Sequence, residues 1–442
     1  MEVLRALGRS PGRTLGYALG AWAGAWGVFY LFQETHRHLA LRARQRKHPL
    51  QLRGDEKDAA WFGCASEKER ADIMSRFAPL RFCGRYLNVT PEWREQGMWE
   101  WMWWKVVHTA LYHGRFGWDG GFAQDEKTEE GRKKIEALLP VQQLDTARLW
   151  GSGTEPAAPA SGITYTWIGQ STCLVQMHGL TVLTDPVFGK QPLESVLSPT
   201  RMRPMPCTID EIRNVDVVLV SHNHFDHLDL SIVPHIPHRT RWIVPQNVAP
   251  LLVRSGVRPE QITELSWWEE AQSAFRVSVQ ADAGVRSAER TLRVAAVPAS
   301  HWSARTPLDT NKSLWNSYAV QVEAADEPDA RLFFCGDSGY SPSLFQAVGR
   351  MYGPFALATI PIGSYEPRWH LSLQHMDPHG SVCVARDVGA RTSFAMHWGT
   401  WSMSDERWDD PPKDLAHALE LERLPAAFLR TVPFGATQSV PL

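Results

Sequence analysis

Residues Ser221 to Asp229 read Ser-His-Asn-His-Phe-Asp-His-Leu-Asp and constrain the fold of this chain more than any other stretch. Four side chains able to bind metal, His222, His224, Asp226 and His227, fall within six consecutive positions. The apolar run Val215-Asp-Val-Val-Leu-Val220 precedes them directly and predicts a buried strand. A strand ending in His-x-His-x-Asp-His can aim alternate side chains at two adjacent cations, the arrangement of a two-metal hydrolase.

Three further candidates share that placement. His301 follows Leu292-Arg-Val-Ala-Ala-Val-Pro298, Asp337 follows Arg331-Leu-Phe-Phe-Cys-Gly336, and His397 follows Thr392-Ser-Phe-Ala-Met396. Each sits just past a predicted strand, where open α/β sheets place their sites. Alone, His301 reads as a loop histidine and Asp337 as a turn residue between Gly336 and Gly339; the strand context makes them ligand candidates. Imidazoles and carboxylates suit zinc, and a catalytic site keeps a coordination position open for water. No cysteine belongs to the set, which argues against a closed structural zinc site.

With these residues in view, the chain resembles the metallo-β-lactamase superfamily. The words Ser221 to Asp229, His301-Trp-Ser-Ala-Arg-Thr306, Gly336-Asp-Ser-Gly-Tyr340, Pro361-Ile-Gly-Ser-Tyr-Glu-Pro-Arg-Trp369 and His397-Trp-Gly-Thr400 resemble its N-acylphosphatidylethanolamine-hydrolysing phospholipase D branch. The resemblance covers about residues 160 to 440, with a weaker echo around Arg81 to Trp93. It implies an α/β fold, the αβ/βα sandwich of two facing sheets with helices outside. It also implies two zinc ions: His222, His224 and His301 on one, Asp226, His227 and His397 on the other, and Asp337 between them. Asp337 and Asp226 are thereby the catalytic candidates, and a hydroxide held between the metals would attack phosphorus. N-acylethanolamine would leave, and phosphatidic acid would stay in the membrane.

The resemblance also suggests substrate contacts. Phe225 stands where the family commonly has tyrosine, so a hydroxyl donor is missing there and the headgroup contact or preference differs. Gln374-His375-Met-Asp377 matches the family's substrate-contacting Gln-His-x-Asp segment, making Gln374 and His375 candidates. Arg305 and Arg368 can grip a phosphate through paired N–H groups, although structural salt bridges explain them equally well. Asp185, after the predicted strand Thr181 to Thr184, is expected to orient a histidine ligand.

The amino-terminal stretch points to a membrane. Leu15 to Phe32 is 18 residues without a charge, the lower limit for spanning a bilayer. Gly16, Gly20 and Gly24 form a small-xxx-small row of the kind that lets helices approach in lipid. Arg5, Arg9 and Arg13 precede the segment, and Arg37, Arg42, Arg44, Arg46, Lys47 and Arg53 follow it. The positive-inside rule then puts the catalytic part on the cytoplasmic or matrix side. Residues 3 to 14 are basic and free of acids, as in a mitochondrial presequence. Fungal members of the family it resembles are mitochondrial, so an inner-membrane anchor is one expectation.

Six of the 20 tryptophans lie between Trp93 and Trp118. Tryptophan favours membrane interfaces, but Trp99, Met102 and Trp103 at helical spacing read first as core. A formal charge of -2 lacks the basic excess that nucleic-acid binding requires. Cys64, Cys83, Cys173, Cys207, Cys335 and Cys383 are scattered with no C-x-x-C pair, unlike a disulfide scaffold.

The expected organisation is an anchor and basic connector over 1–57, a largely helical Trp-rich extension and linker over 58–160, and a catalytic domain over 161–442. Within the extension, Pro91 is expected near a helix start and Gly151 to Gly162 at the boundary. The resemblance implies a membrane phospholipid substrate and a homodimer. Other readings are a fold relative acting on a soluble phosphodiester or lactone, and a noncatalytic lipid-binding protein.

Overall fold

The computed structural model describes residues 11–50, 65–108, 119–151, 162–195, 198–281, 284–325 and 327–442, together with Gly63 and Leu111. The expected boundary between Gly151 and Gly162, the presequence-like residues 3 to 10, Arg53 and Cys64 lie largely or wholly outside the described residues.

One helix, Pro11–Lys47, opens the described chain. It is long and apolar enough to cross a membrane, and its apolar window is not buried in the protein. It does not stop at Phe32: the first part of the expected basic connector continues the helix. Gln33, Arg37 and Leu41 are buried at the four-residue spacing that aligns side chains on one helical face. Arg44, next along that face, donates to the carbonyls of Ala78 and Pro79 at 2.6 and 3.2 Å.

Among its described residues, the extension expected to be largely helical is interrupted by a hairpin. Helix Glu67–Arg76 is capped by Ser66, whose hydroxyl accepts from Glu69 N. A hairpin then follows, β1 (Leu80–Phe82) and β2 (Arg85–Leu87), turned through Cys83 and Gly84 at φ 49° and 76°. Two left-handed residues suit the tight turn of a two-residue hairpin. Pro91 sits in a turn, and the next helix, Met98–Met102, starts later and runs into a π-helical turn, Trp103–His108.

The remaining strands form two seven-stranded sheets. The first contains β3 (Ile163–Gly169), β4 (Thr172–Met177), β5 (Leu180–Thr184), β6 (Val217–Leu219), β7 (Arg241–Pro245) and β8 (Ile262–Leu265). The second contains β9 (Glu270–Ala281), β10 (Gly284–Pro298), β11 (Asn316–Ala324), β12 (Glu327–Phe334), β13 (Phe355–Pro361), β14 (Ala390–Met396) and β15 (Leu429–Arg430). The final strand, β16 (Thr437–Val440), returns to pair antiparallel with β3. Strands β5 to β8 are parallel, as are β12 to β15.

Strand periodicity explains why these runs read as nearly all apolar. Successive side chains leave opposite faces of a strand, and here both faces are covered. Val217 and Leu219 enter the cluster between the sheets, whereas Val218 and Val220 join one on the outer face with Ile232 and Leu252. Tyr165 of β3 stacks on Phe394 of β14 at 4.5 Å, joining the sheets. On the far side of the second sheet, Phe345 of helix Pro342–Tyr352 packs edge-on against Phe333 at 6.3 Å. The five described cysteines are all free.

Candidate metal centre

The apolar runs read before His222, His301, Asp337 and His397 belong to β6, β10, β12 and β14. Their following loops converge at one rim of the sandwich. His222, His224 and His301 each offer a ligand atom within 4.8 Å of the others, and so do Asp226, His227, Asp337 and His397. His224 Nδ1 lies 2.8 Å from His222 Nε2 and 3.3 Å from His301 Nε2. Asp337 Oδ2 stands 3.0 Å from His227 Nε2, 3.2 Å from His397 Nε2 and 3.8 Å from His301 Nε2. Asp337 thus faces both histidine sets.

Backbone geometry makes that convergence possible. Gly336 has φ 60°, and a Cβ there would meet Ser221 Cβ at 2.6 Å; glycine lets the Asp337 loop close on the histidine loop. His397 itself sits at φ 60°, an uncommon conformation for a residue with a side chain.

Neighbouring groups orient the rings. Asp185, at the end of β5, places Oδ2 2.6 Å from His227 Nδ1, and its oxygens accept from Ser221 N and Oγ. His301 Nδ1 lies 2.9 Å from the Gln374 carbonyl, and His222 Nδ1 lies 2.9 Å from Ser221 Oγ. Holding one ring nitrogen leaves the other for a metal. Gln170, after β3, donates from Nε2 to Asp226 Oδ2 at 2.9 Å. Neither Gln170 nor Ser221 was a candidate ligand or orienter in the sequence, because neither carries metal-binding chemistry.

The electrostatics differ between the two sets. Burial, reinforced by neighbouring imidazoles, holds His222 well below the ordinary histidine value, His224 down to about 4 and His301 down to about 3. These are neutral imidazoles, the form a metal requires. Burial also opposes protonation of His227 and His397, but carboxylates win: Asp337, Asp226 and Asp185 raise His227 well above its ordinary value, and Asp337 and Asp226 raise His397 to about 9. Asp226 and Asp337 are correspondingly held low by those histidines despite their burial.

The residues fit metal ions by a separate observation. His227 Nε2, His397 Nε2 and Asp337 Oδ1 are buried without hydrogen-bond geometry, the two nitrogens meeting Asp337 Oδ2 only as close contacts at 3.0 and 3.2 Å. A buried polar atom without a hydrogen bond costs about 1–3 kcal/mol, and coordination to one ion would satisfy all three.

The expected substrate contacts divide. His375 is largely buried beside the centre, with Nδ1 3.9 Å from Asp337 Oδ2, and burial lowers it to about 3. Gln374 approaches through its carbonyl, which His301 uses. Arg305 donates from Nη1 to the carbonyls of Asn223 and Leu228 at 3.1 and 2.9 Å and lies 4.1 Å from the Phe225 ring centre. Arg368 donates to the His375 carbonyl at 3.1 Å and pairs with Asp377 at 3.4 Å. Both arginines brace the loops that carry the site.

The tryptophan stretch departs from its core reading. Trp99, Trp101 and Trp103 are each more than half exposed, and Met102, Val106 and Trp369 are exposed with them. Trp93 and Trp104 alone of the described tryptophans between Trp93 and Trp104 are buried. Arg94 donates to the Trp369 carbonyl at 3.3 Å, and His108 meets the Trp369 ring at 6.0 Å. This apolar face therefore adjoins the Arg368–His375 segment beside the centre.

Two facing mixed sheets with a three-histidine cluster and a His/Asp cluster at the rim define a metallo-β-lactamase-fold hydrolase. A family model described as a beta-lactamase superfamily domain matches residues 181–398. The chain is 31% identical over 359 residues to the mitochondrial N-acyl-phosphatidylethanolamine-hydrolyzing phospholipase D of Saccharomyces cerevisiae, covering 77% of this chain and 73% of that protein. It is 32% identical over 296 residues to N-acyl-phosphatidylethanolamine-hydrolyzing phospholipase D 1 of Caenorhabditis elegans, covering 65% and 76%. An uncharacterized protein of Mycobacterium tuberculosis is 34% identical over 294 residues, covering 62% and 72%. The chain belongs to the N-acylphosphatidylethanolamine-hydrolysing phospholipase D family and is a metal-dependent hydrolase of that type.

Proposed function

We propose that this protein is a membrane-anchored, zinc-dependent phospholipase D that cleaves N-acylphosphatidylethanolamine to N-acylethanolamine and phosphatidic acid. The observation that carries this reading is the pair of buried ligand groups meeting at Asp337. His222, His224 and His301 would hold one zinc, and Asp226, His227 and His397 the other, with Asp337 shared. Two such ions supply an activated water and charge neutralisation at a phosphoryl group. Asp185, Ser221 and the Gln374 carbonyl fix the ring orientations, Gln170 steadies Asp226, and His375, with Nδ1 3.9 Å from Asp337 Oδ2, would contact the headgroup.

The membrane part of the reading rests on two surfaces. The apolar length of helix Pro11–Lys47 is exposed along Leu15, Tyr17, Trp22, Trp26, Val28, Leu31 and Phe32. The exposed tryptophans at 99, 101 and 103 offer rings suited to the headgroup region. Residues 161–442 would form the catalytic domain on the cytoplasmic or matrix side, with residues 1–57 as anchor and connector.

The test is product analysis by mass spectrometry with mixed micelles of N-acylphosphatidylethanolamine. Paired release of N-acylethanolamine and phosphatidic acid, lost with chelator and restored by zinc, is expected. Folded, zinc-loaded protein that yields neither product overturns the lipid assignment and directs attention to soluble phosphodiesters.

A further inference from the structure

We propose that Asn88 is a positioning residue for the metal ligand His301, and that the amino-terminal helix holds Asn88 in place through Arg37. The inference rests on the proposed grouping of His222, His224 and His301 around one zinc.

Asn88 lies immediately after β2, outside the sandwich in sequence, yet it is fully buried against the centre. Its Nδ2 donates to the His301 carbonyl at 2.7 Å, and its Oδ1 accepts from the His301 amide at 3.1 Å. One carboxamide therefore grips the ligand's backbone on both sides, while the Gln374 carbonyl holds the ring at Nδ1. Two residues on, the Thr90 hydroxyl lies 3.1 Å from that of Ser300, the neighbour of His301.

The same short segment is pinned from behind. Arg37, on the helix that emerges from the apolar stretch, is completely buried. Its guanidinium donates to the carbonyls of Thr90 and Trp93 and pairs with Glu34. The hairpin adds further points: Tyr86 N donates to the Asn311 carbonyl at 2.8 Å, and Asn311 in turn pairs with Ser303, two residues past the ligand. A continuous path of hydrogen bonds thus runs from the helix through residues 86–93 to the backbone of His301.

Metal coordination tolerates displacements of only about 0.2 Å in ligand distance, and hydrogen-bonded supports of ligands alter metal affinity by roughly tenfold to hundredfold when removed. A loosened His301 backbone should therefore register in one zinc site before it registers elsewhere. A purely structural hydrogen bond would lower the melting temperature and leave the relative affinities of the two sites unchanged.

The experiment uses full-length protein in detergent, comparing native chain with Asn88→Ala, Thr90→Val and Arg37→Met. Zinc per chain is measured by mass spectrometry across a chelator series, with melting temperature recorded on the same samples. Asn88→Ala is expected to weaken one zinc by roughly tenfold to hundredfold while the second keeps its native affinity, with Arg37→Met and Thr90→Val showing smaller losses at the same site. If Asn88→Ala folds and retains both zincs at native affinity, the proposal is overturned. If it does not fold, Thr90→Val decides, and native affinity at both sites in that variant overturns it equally. A native chain that binds fewer than two zincs, or His222→Ala that keeps both, instead overturns the two-site grouping itself.

Discussion

Asp337 is the residue on which the two histidine sets depend together, since its Oδ2 lies within 3.8 Å of His227, His397 and His301. Asp337→Asn keeps the shape and removes the charge, so it is expected to abolish metal-dependent turnover and lower the metal bound per chain, read by mass spectrometry. Retained full activity would sink its bridging role. Asp185 acts one step further out, through His227 Nδ1. Asp185→Asn should reduce metal affinity or turnover by roughly tenfold to hundredfold, and an unchanged chelator titration would count against it. Residues of the first kind are legible in sequence because donor-bearing side chains end recognisable apolar runs. Asp185 is legible only by its strand end. Gln170, Ser221 and Asn88 are not, because an amide or hydroxyl has no spacing rule and their partners are distant in sequence. The arginines show the opposite problem: Arg305 and Arg368 carry the right charge for phosphate, but Arg305 donates to the carbonyls of Asn223 and Leu228 on the histidine loop and Arg368 to the His375 carbonyl.

Elements were legible where periodicity is strong and flanked by turn residues. Strand β5 contains the expected run Thr181 to Thr184, and the turn before it falls on His178 and Gly179, both at positive φ. The hairpin β1–β2 is hidden because three-residue strands are too short to establish a period. The helical stripe Trp99, Met102, Trp103 is real in spacing, but spacing does not say what a stripe faces; here it faces outward. Large apolar patches on a surface mark interaction sites. Replacing Trp99, Trp101 and Trp103 together by Ser is expected to reduce kcat/KM on vesicle-borne lipid by roughly tenfold or more, since each buried ring contributes on the order of 1.5 kcal/mol. Turnover of a monomeric short-chain analogue should stay as in the native protein. Equal loss on both substrates would show that the face serves the centre rather than the lipid surface.

At the scale of the whole molecule, the extension and the sandwich are tied by a buried carboxylate. Asp409 pairs with Lys134 of helix Glu129–Leu138 and with Lys413 and Arg407. Burial alone would raise its pKa, but the hydrogen bonds and charges of Lys134 and Lys413 prevail and lower it to about 2. Its unfolded value is about 3.9, so the unfolded chain takes up the proton first as pH falls. The stabilisation is complete above about pH 4 and disappears as the pH falls to about 2. Asp409→Asn should flatten that segment of the stability curve, measured by denaturant midpoints across pH; an unchanged slope would remove Asp409 from the acid response.

Helix Pro11–Lys47 has no break between its apolar length and the buried Arg37. At 1.5 Å per residue its 37 residues form a shaft of about 55 Å. A shaft clamped to the body at one end transmits its tilt to the body. Helices tilt according to the mismatch between their apolar length and the hydrocarbon thickness around them. For the membrane-anchored enzyme proposed above, lipid thickness would set the height and angle at which the catalytic rim meets the headgroups, so that acyl-chain length of the surrounding lipids would control turnover separately from the chemistry of the proposed substrate.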